Sequence, residues 1–104
     1  MGTRAARFTL AEVLPIVAST IRMLTRDGNF VTHEEIVAAL ARREELGALL
    51  DHLVATDPAH KPRAWWANNF VQWFSHHFTR GTSEFLTQFE RQQTEGGWSY
   101  RPLP

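Results

Sequence analysis

The residues of this chain best suited to chemistry lie between Arg63 and Arg80, which read Arg-Ala-Trp-Trp-Ala-Asn-Asn-Phe-Val-Gln-Trp-Phe-Ser-His-His-Phe-Thr-Arg. At about 100° per residue a helix here places Ala67, Phe70, Val71, Phe74 and Phe78 on one face, the spacing of a helix packed on a core. Trp66, Asn69, Trp73, His76, His77 and Arg80 fall on a second stripe roughly 120° away. A helix with one apolar face and one face of aromatic rings, amides and cations is suited to being pressed against a partner. From Pro58 to Ser83 the chain holds Lys61, Arg63, Arg80 and three histidines, with no acid at all. Such a window suits a polyanion. It reads equally as chance clustering in a neutral chain, whose 11 basic residues balance 11 acidic ones. The distribution is more informative than the sum: residues 1–26 set Arg4, Arg7, Arg22 and Arg26 against Glu12 alone, whereas residues 27–57 carry seven acids against Arg42 and Arg43.

Composition removes several classes of function. With 104 residues and 43% hydrophobic content, the chain predicts a single domain spanning 1–104 with a modest core. The absence of cysteine excludes disulfides, thiolate zinc sites and cysteine nucleophiles. No apolar run approaches the roughly 18 residues of a membrane span and no signal peptide is visible, so a cytoplasmic protein without membrane contact is expected. Met1-Gly2-Thr3 fits a native start and a cloning scar equally, which leaves open a domain excised from a longer protein. No phosphate loop, His-Glu-x-x-His, nucleophile elbow or two-cysteine motif is present, and a binding module rather than an enzyme is expected. No cofactor or metal is called for; His76 and His77 diverge by about 100° on one helix and make a poor metal site. Glu34-Glu35 and Glu44-Glu45 read as cap and solvated face, not as a catalytic carboxylate pair.

The elements that must hold the aromatic segment are largely helical. Thr9-Leu-Ala-Glu12 is a capping box with Phe8 and Val13 as its hydrophobic staple. Leu10, Val13, Leu14, Val17, Ile21 and Leu24 then give the core stripe of a first helix ending near Gly28. Pro15, beyond the first turn, should kink this helix or mark its true start. Thr32-His-Glu-Glu35 repeats the capping box, with Val31 and Ile36 as staple, after a short extended lead-in over Asn29, Phe30 and Val31. That helix should bury Ile36, Val37 and Leu40. Leu46, Leu49, Leu50 and Leu53 continue it or begin another after a break near Gly47. Asp57-Pro58-Ala-His-Lys-Pro62 is a loop, and Pro62 suits the first turn of the helix from about Arg63. Thr82 to Phe89 reads either as a capped turn or as an alternating strand. Trp98-Ser-Tyr100-Arg alternates, Gly96-Gly97 supplies a turn, Phe89 to Gln93 can pair back across it, and Pro102 should end the pairing.

Three helices and a two-stranded hairpin, mainly α with a small β component (α+β), resemble the winged helix-turn-helix family over nearly the whole chain. The resemblance makes Thr32 to about Arg43 the supporting helix, Arg63 to Thr79 the recognition helix and Phe89 to Arg101 the wing. The Asn-Phe-Val-Gln-Trp-Phe-Ser segment, Phe89-Glu-Arg and Gly97-Trp-Ser-Tyr-Arg-Pro are also similar to winged-helix modules attached to modification-dependent restriction endonucleases, some of which read N6-methyladenine. The resemblance implies a double-stranded DNA partner, adenine-methylated in the sharper form, and a linked nuclease domain that would hold any catalytic activity.

In a major groove, Asn69 is the natural adenine reader, since one amide can satisfy N7 and the N6 amino group together. An N6-methyl group asks for an apolar neighbour, and Trp66 and Trp73 flank Asn69. Lys61, Arg63 and the helix N-terminus would hold phosphates at one end, with His76, His77 and Arg80 at the other. Arg91, Gln92, Gln93, Trp98 and Arg101 of the wing would meet the flanking backbone or minor groove, although the wing tip Gln93-Thr-Glu95-Gly-Gly carries no basic residue. Packing is the competing role for every tryptophan, and is favoured for Trp65 and Trp98. The alternative from another class is a protein-interaction or dimerisation module using the same aromatic helix face.

Overall fold

The computed structural model describes residues 10–80, 87–94 and 97–103, and at 10, 11 and 77–80 the backbone alone. Within those limits the chain is α+β. Helices α1 (Leu10–Leu24), α2 (His33–Ala41), α3 (Glu44–Thr56) and α4 (Arg63–Arg80) accompany strands β1 (Val31–Thr32), β2 (Phe89–Thr94) and β3 (Gly97–Pro102). The three strands form an antiparallel sheet in the order β1-β3-β2.

Apolar periodicity builds the helices around one core. Val13, Leu14, Val17, Ala18 and Ile21 of α1 meet Ile36 and Leu40 of α2 and Leu46, Leu50 and Leu53 of α3. Ala67, Phe70, Val71 and Phe74 supply the share of α4, while Val31, Phe89 and Tyr100 close the core from the sheet. Each of these large side chains contributes about 1.5–3 kcal/mol by leaving water. Val37, Leu24 and Leu49, expected inside, are half-buried at its margin. Phe74 stands edge-on to both Phe89 and Tyr100, with ring centroids 5.9 and 5.6 Å away, which locks α4 to the hairpin.

The helix starts follow local chemistry. Thr32 caps α2 as the sequence predicts: its hydroxyl accepts the Glu35 N–H at 3.2 Å, and the Glu35 carboxylate accepts the Thr32 N–H at 3.1 Å. The Thr9 box and its Phe8 staple lie outside the described residues. Pro15 does not mark the start of α1, which already runs from Leu10. Its ring lies on the exposed side, and as the sixth residue of α1 it leaves the Ala11 carbonyl without its helical N–H donor. After Leu24 a turn leads to Gly28, whose φ of +82° is the left-handed geometry that favours glycine.

The break between the middle helices is not at Gly47, which sits inside α3, but at Arg42–Arg43. There the Arg42 and Arg43 N–H groups donate to the carbonyls of Ala39 and Leu40 at 3.1 Å each. The Arg43 guanidinium is engaged with Glu45 and reaches Ser19 and Thr20 of α1 at 3.4 Å each. The described residues therefore form four helices, not three. Phe89 to Gln93 pair back on β3 as the sequence predicts, in a register that sets Arg91 opposite Tyr100 and Gln93 opposite Trp98. Pairing continues through Pro102, opposite Phe89, and Leu103 still donates to the Gln88 carbonyl at 2.9 Å. Proline is tolerated there as the terminal strand residue. The lead-in before α2 is a true strand, pairing Val31 with Tyr100 and Thr32 with Ser99. The turn-or-strand question over Thr82–Leu86 lies outside the described residues.

Candidate nucleic-acid interface

The loop before α4 is built by Asp57. Its carboxylate accepts the N–H groups of Ala59 and Lys61 at 2.9 Å each, and its carbonyl accepts the His60 N–H at 2.9 Å. The Lys61 and Ala59 N–H bonds hold the Asp57 carboxyl below its ordinary value of 3.8. His60 takes a left-handed φ of +53° to close the turn. The Pro62 carbonyl then accepts the Trp65 and Trp66 N–H groups at 3.0 and 3.3 Å, so α4 starts where the sequence predicts.

With Ala67, Phe70, Val71 and Phe74 fixed inward, helical geometry places Trp65, Asn69, Gln72 and His76 about 140–200° from Ala67, on the opposite side. Gln72 and His76 are exposed, Asn69 is half-buried and Trp65 is 40% exposed. Among the described residues, the Asn69 and Gln72 amides have no hydrogen-bond partner, and no carboxylate belongs to this row. At its start the Lys61 ammonium lies 5.5 Å from the Trp65 ring centroid. That contact leaves the charge at the surface.

Trp66 and Trp73 sit on the flank of the row. Both are half-buried against the core, Trp73 with its ring centroid 5.8 Å from that of Phe70. Trp66 meets Trp65 edge-on at 5.0 Å, and its indole N–H is enclosed without an acceptor. Asn68, one residue from the outward row, is tied at 2.6 Å through its Oδ1 to Nε2 of His33 at the start of α2. Asn69 is therefore the more available of the two asparagines.

The arginines expected at phosphates are already engaged. Arg63 pairs with Asp51 of α3 and donates to the Ala41 carbonyl at 2.9 Å, joining α4 to the middle of α3 and the end of α2. Arg91 donates to the Ser75 carbonyl and hydroxyl at 3.2 Å each, with its guanidinium 3.7 Å from the Trp98 ring centroid. Arg101 pairs with Glu90 and lies 4.3 Å from the Phe30 ring centroid. Gln92 and Gln93 are exposed on β2. The side chains of His77 and Arg80, in the last turn of α4, lie outside the described residues.

Three residues extend the set read from the sequence. Trp65, expected to pack, is exposed; Gln72 joins the outward row; His33 orients Asn68. The first two were accessible to the same helical arithmetic, because they lie most nearly opposite the apolar face, whereas His33 meets Asn68 only through the crossing of α2 and α4. Among the described residues no three carboxylate or imidazole groups gather as metal ligands, and no helix is long and apolar enough to cross a membrane. The chain matches no protein-family model, no curated protein and no solved structure at a significant level.

Proposed function

We propose that the chain is a double-stranded DNA-binding module of winged-helix type, in which α4 enters the major groove and the β2–β3 hairpin lies along the flanking backbone. The single observation that carries this reading is the outward row of α4. It combines unpaired amides at Asn69 and Gln72, the aromatic surface of Trp65 and the Lys61 charge, with no acid among them. Amides are the groups that read adenine edges, and an acid-free face is what a phosphate-lined groove admits.

The winged-helix assignment is supported by the packing of α1, α2 and α4 on one another and by the sheet order β1-β3-β2. The hairpin also becomes more exposed along β2 from Phe89 to Thr94. In the sharper form of the proposal, Asn69 reads an adenine whose N6-methyl group lies against Trp65, Trp66 or Trp73, and the module delivers a linked restriction nuclease. A methyl group in the groove is recognised by apolar contact, and this helix has three indoles within reach of one amide.

A second reading has its own observation. Trp65, exposed and edge-on to Trp66, has the character of a protein-interface anchor, so a protein-interaction or dimerisation module remains the competing function. Duplex binding followed across salt concentration separates the two, because released counterions make only the nucleic-acid complex steeply salt-dependent.

A further inference from the structure

A second basic feature lies away from α4. Ser19, Arg22, Met23, Arg26, Arg43 and Glu45 line an open groove where α1 meets the α2–α3 elbow. Ser19, Arg22 and Met23 share the solvent side of α1, opposite the Val13, Val17 and Ile21 face that meets the core. Since α1 packs against the inner face of α4, the groove and the outward row of α4 occupy opposite sides of the molecule.

The arginines differ in how far they are committed. Arg43 forms the floor: its side chain is 17% exposed and is held by Glu45, Ser19 and Thr20. Arg22 is bonded to Gln88 through Nη2, with its guanidinium 4.9 Å from the Phe89 ring centroid, and is thereby fixed in direction. Arg26 is exposed and has no ion-pair partner among the described residues. Among the described residues of the groove, three guanidinium groups thus face one carboxylate, two of them preoriented and one without an ion-pair partner.

We propose that this groove is an oxyanion site that holds a phosphate group, with Arg26 and the outer N–H groups of Arg22 as donors and the Ser19 hydroxyl as a further donor. Guanidinium forks match phosphate oxygens in pairs, and preorientation lowers the entropy lost on binding. The site is independent of the duplex proposal, because a straight duplex seated on α4 lies on the other side of α1. The phosphate comes from a soluble phosphate ester or from the backbone of a second nucleic acid, two sources with one chemistry.

The test is a titration of the full chain with inorganic phosphate at constant ionic strength, followed by the Met23 methyl and Arg26 signals in NMR spectra. Met1 and Met23 are the only methionines, which simplifies assignment. The site predicts saturable shifts with half-saturation below about 10 mM, and a loss of at least about tenfold in Arg26→Ala, whose exposed side chain is not needed for folding. Competition by a nucleoside monophosphate assigns the group to a soluble ester, and competition by a short duplex assigns it to nucleic-acid backbone. Absence of a saturable shift, or an unchanged midpoint in Arg26→Ala, overturns the proposal. Either failure leaves the α4 face untouched, so the two proposals fail separately.

Discussion

Nε2 of His33 and Oδ1 of Asn68 lie 2.6 Å apart, joining the first residue of α2 to the flank of α4. Beside the cap at Thr32, this bond sets how the amide-bearing helix crosses its neighbour. Replacing either partner should cost about 1 kcal/mol of unfolding free energy, and the double variant His33→Ala/Asn68→Ala should cost less than the two single losses together. Urea unfolding of the four proteins checks this. Strict additivity would remove the bond from the account.

Asp51 pairs with Arg63 at the surface, so the charge at the head of α4 is available to phosphate only in part. Asp51→Asn should therefore tighten duplex binding and raise the number of counterions released by about one, seen as a steeper dependence of affinity on salt. Arg63→Ala should weaken all sequences alike. It should also lower stability slightly, because the bond to the Ala41 carbonyl is lost.

Tyr100 is the only tyrosine in the chain and is fully buried. Burial raises its pKa above the ordinary value of 10.0, an effect partly offset by the neighbouring Ser75 and by the Arg91 charge. A raised pKa means that the native state favours the neutral phenol. The associated stability is complete below pH 10 and is lost as pH rises through the folded pKa. Phenolate absorbance should titrate above pH 10 in the folded protein and near 10 in denaturant. Coincident curves would contradict the buried position of Tyr100 between Phe74 and the strands.

Asp57 behaves in the opposite sense. Its carboxyl is held below 3.8 by the Lys61 and Ala59 N–H groups, so its contribution is present above the unfolded pKa and lost as pH falls through the lowered folded value. Asp57→Ala should make the acid limb of the stability curve shallower and loosen the Lys61–Trp65 contact. Trp fluorescence during acid titration reads both effects.

If Asn69 reads adenine, Asn69→Ala should remove about 1–3 kcal/mol of preference for the adenine-containing site while leaving nonspecific affinity nearly intact. Trp65→Ala, Trp66→Ala and Trp73→Ala, compared on methylated and unmethylated duplexes, identify the indole that meets a methyl group. Trp65→Ala should fold best of the three, since Trp66 and Trp73 also pack on the core. Unchanged preference in all four variants would move recognition off this face.

The features legible in the sequence were those set by short-range chemistry. Thr32 and Glu35 are three residues apart and cap one another without help from the rest of the chain. The pairing of Phe89 to Gln93 with the alternating segment from Trp98 is local in the same sense, and the apolar spacing of Ala67, Phe70, Val71 and Phe74 identifies a buried face. What sequence periodicity could not supply depends on contacts between distant elements. The break at Arg42–Arg43 involves Arg43 reaching Ser19 and Thr20, 24 and 23 residues away. The pairing of Val31 with Tyr100 joins residues 69 positions apart, and the acid-free sequence window acquires Asp51 only when α3 folds against Arg63. For the candidate site, Asn69 and the aromatic flank were readable and the outward position of Trp65 was open to the same helical arithmetic, but the His33–Asn68 contact arises only where α2 crosses α4.

The most direct test is a binding titration of one short duplex, unmodified and N6-methylated at adenine, at two salt concentrations. DNA recognition by α4 predicts binding at low salt that weakens steeply as salt rises, with the methylated duplex held more tightly. Absence of binding at low salt, to this duplex and to a pool of other sequences, would contradict DNA recognition by α4 and transfer its aromatic face to a protein partner.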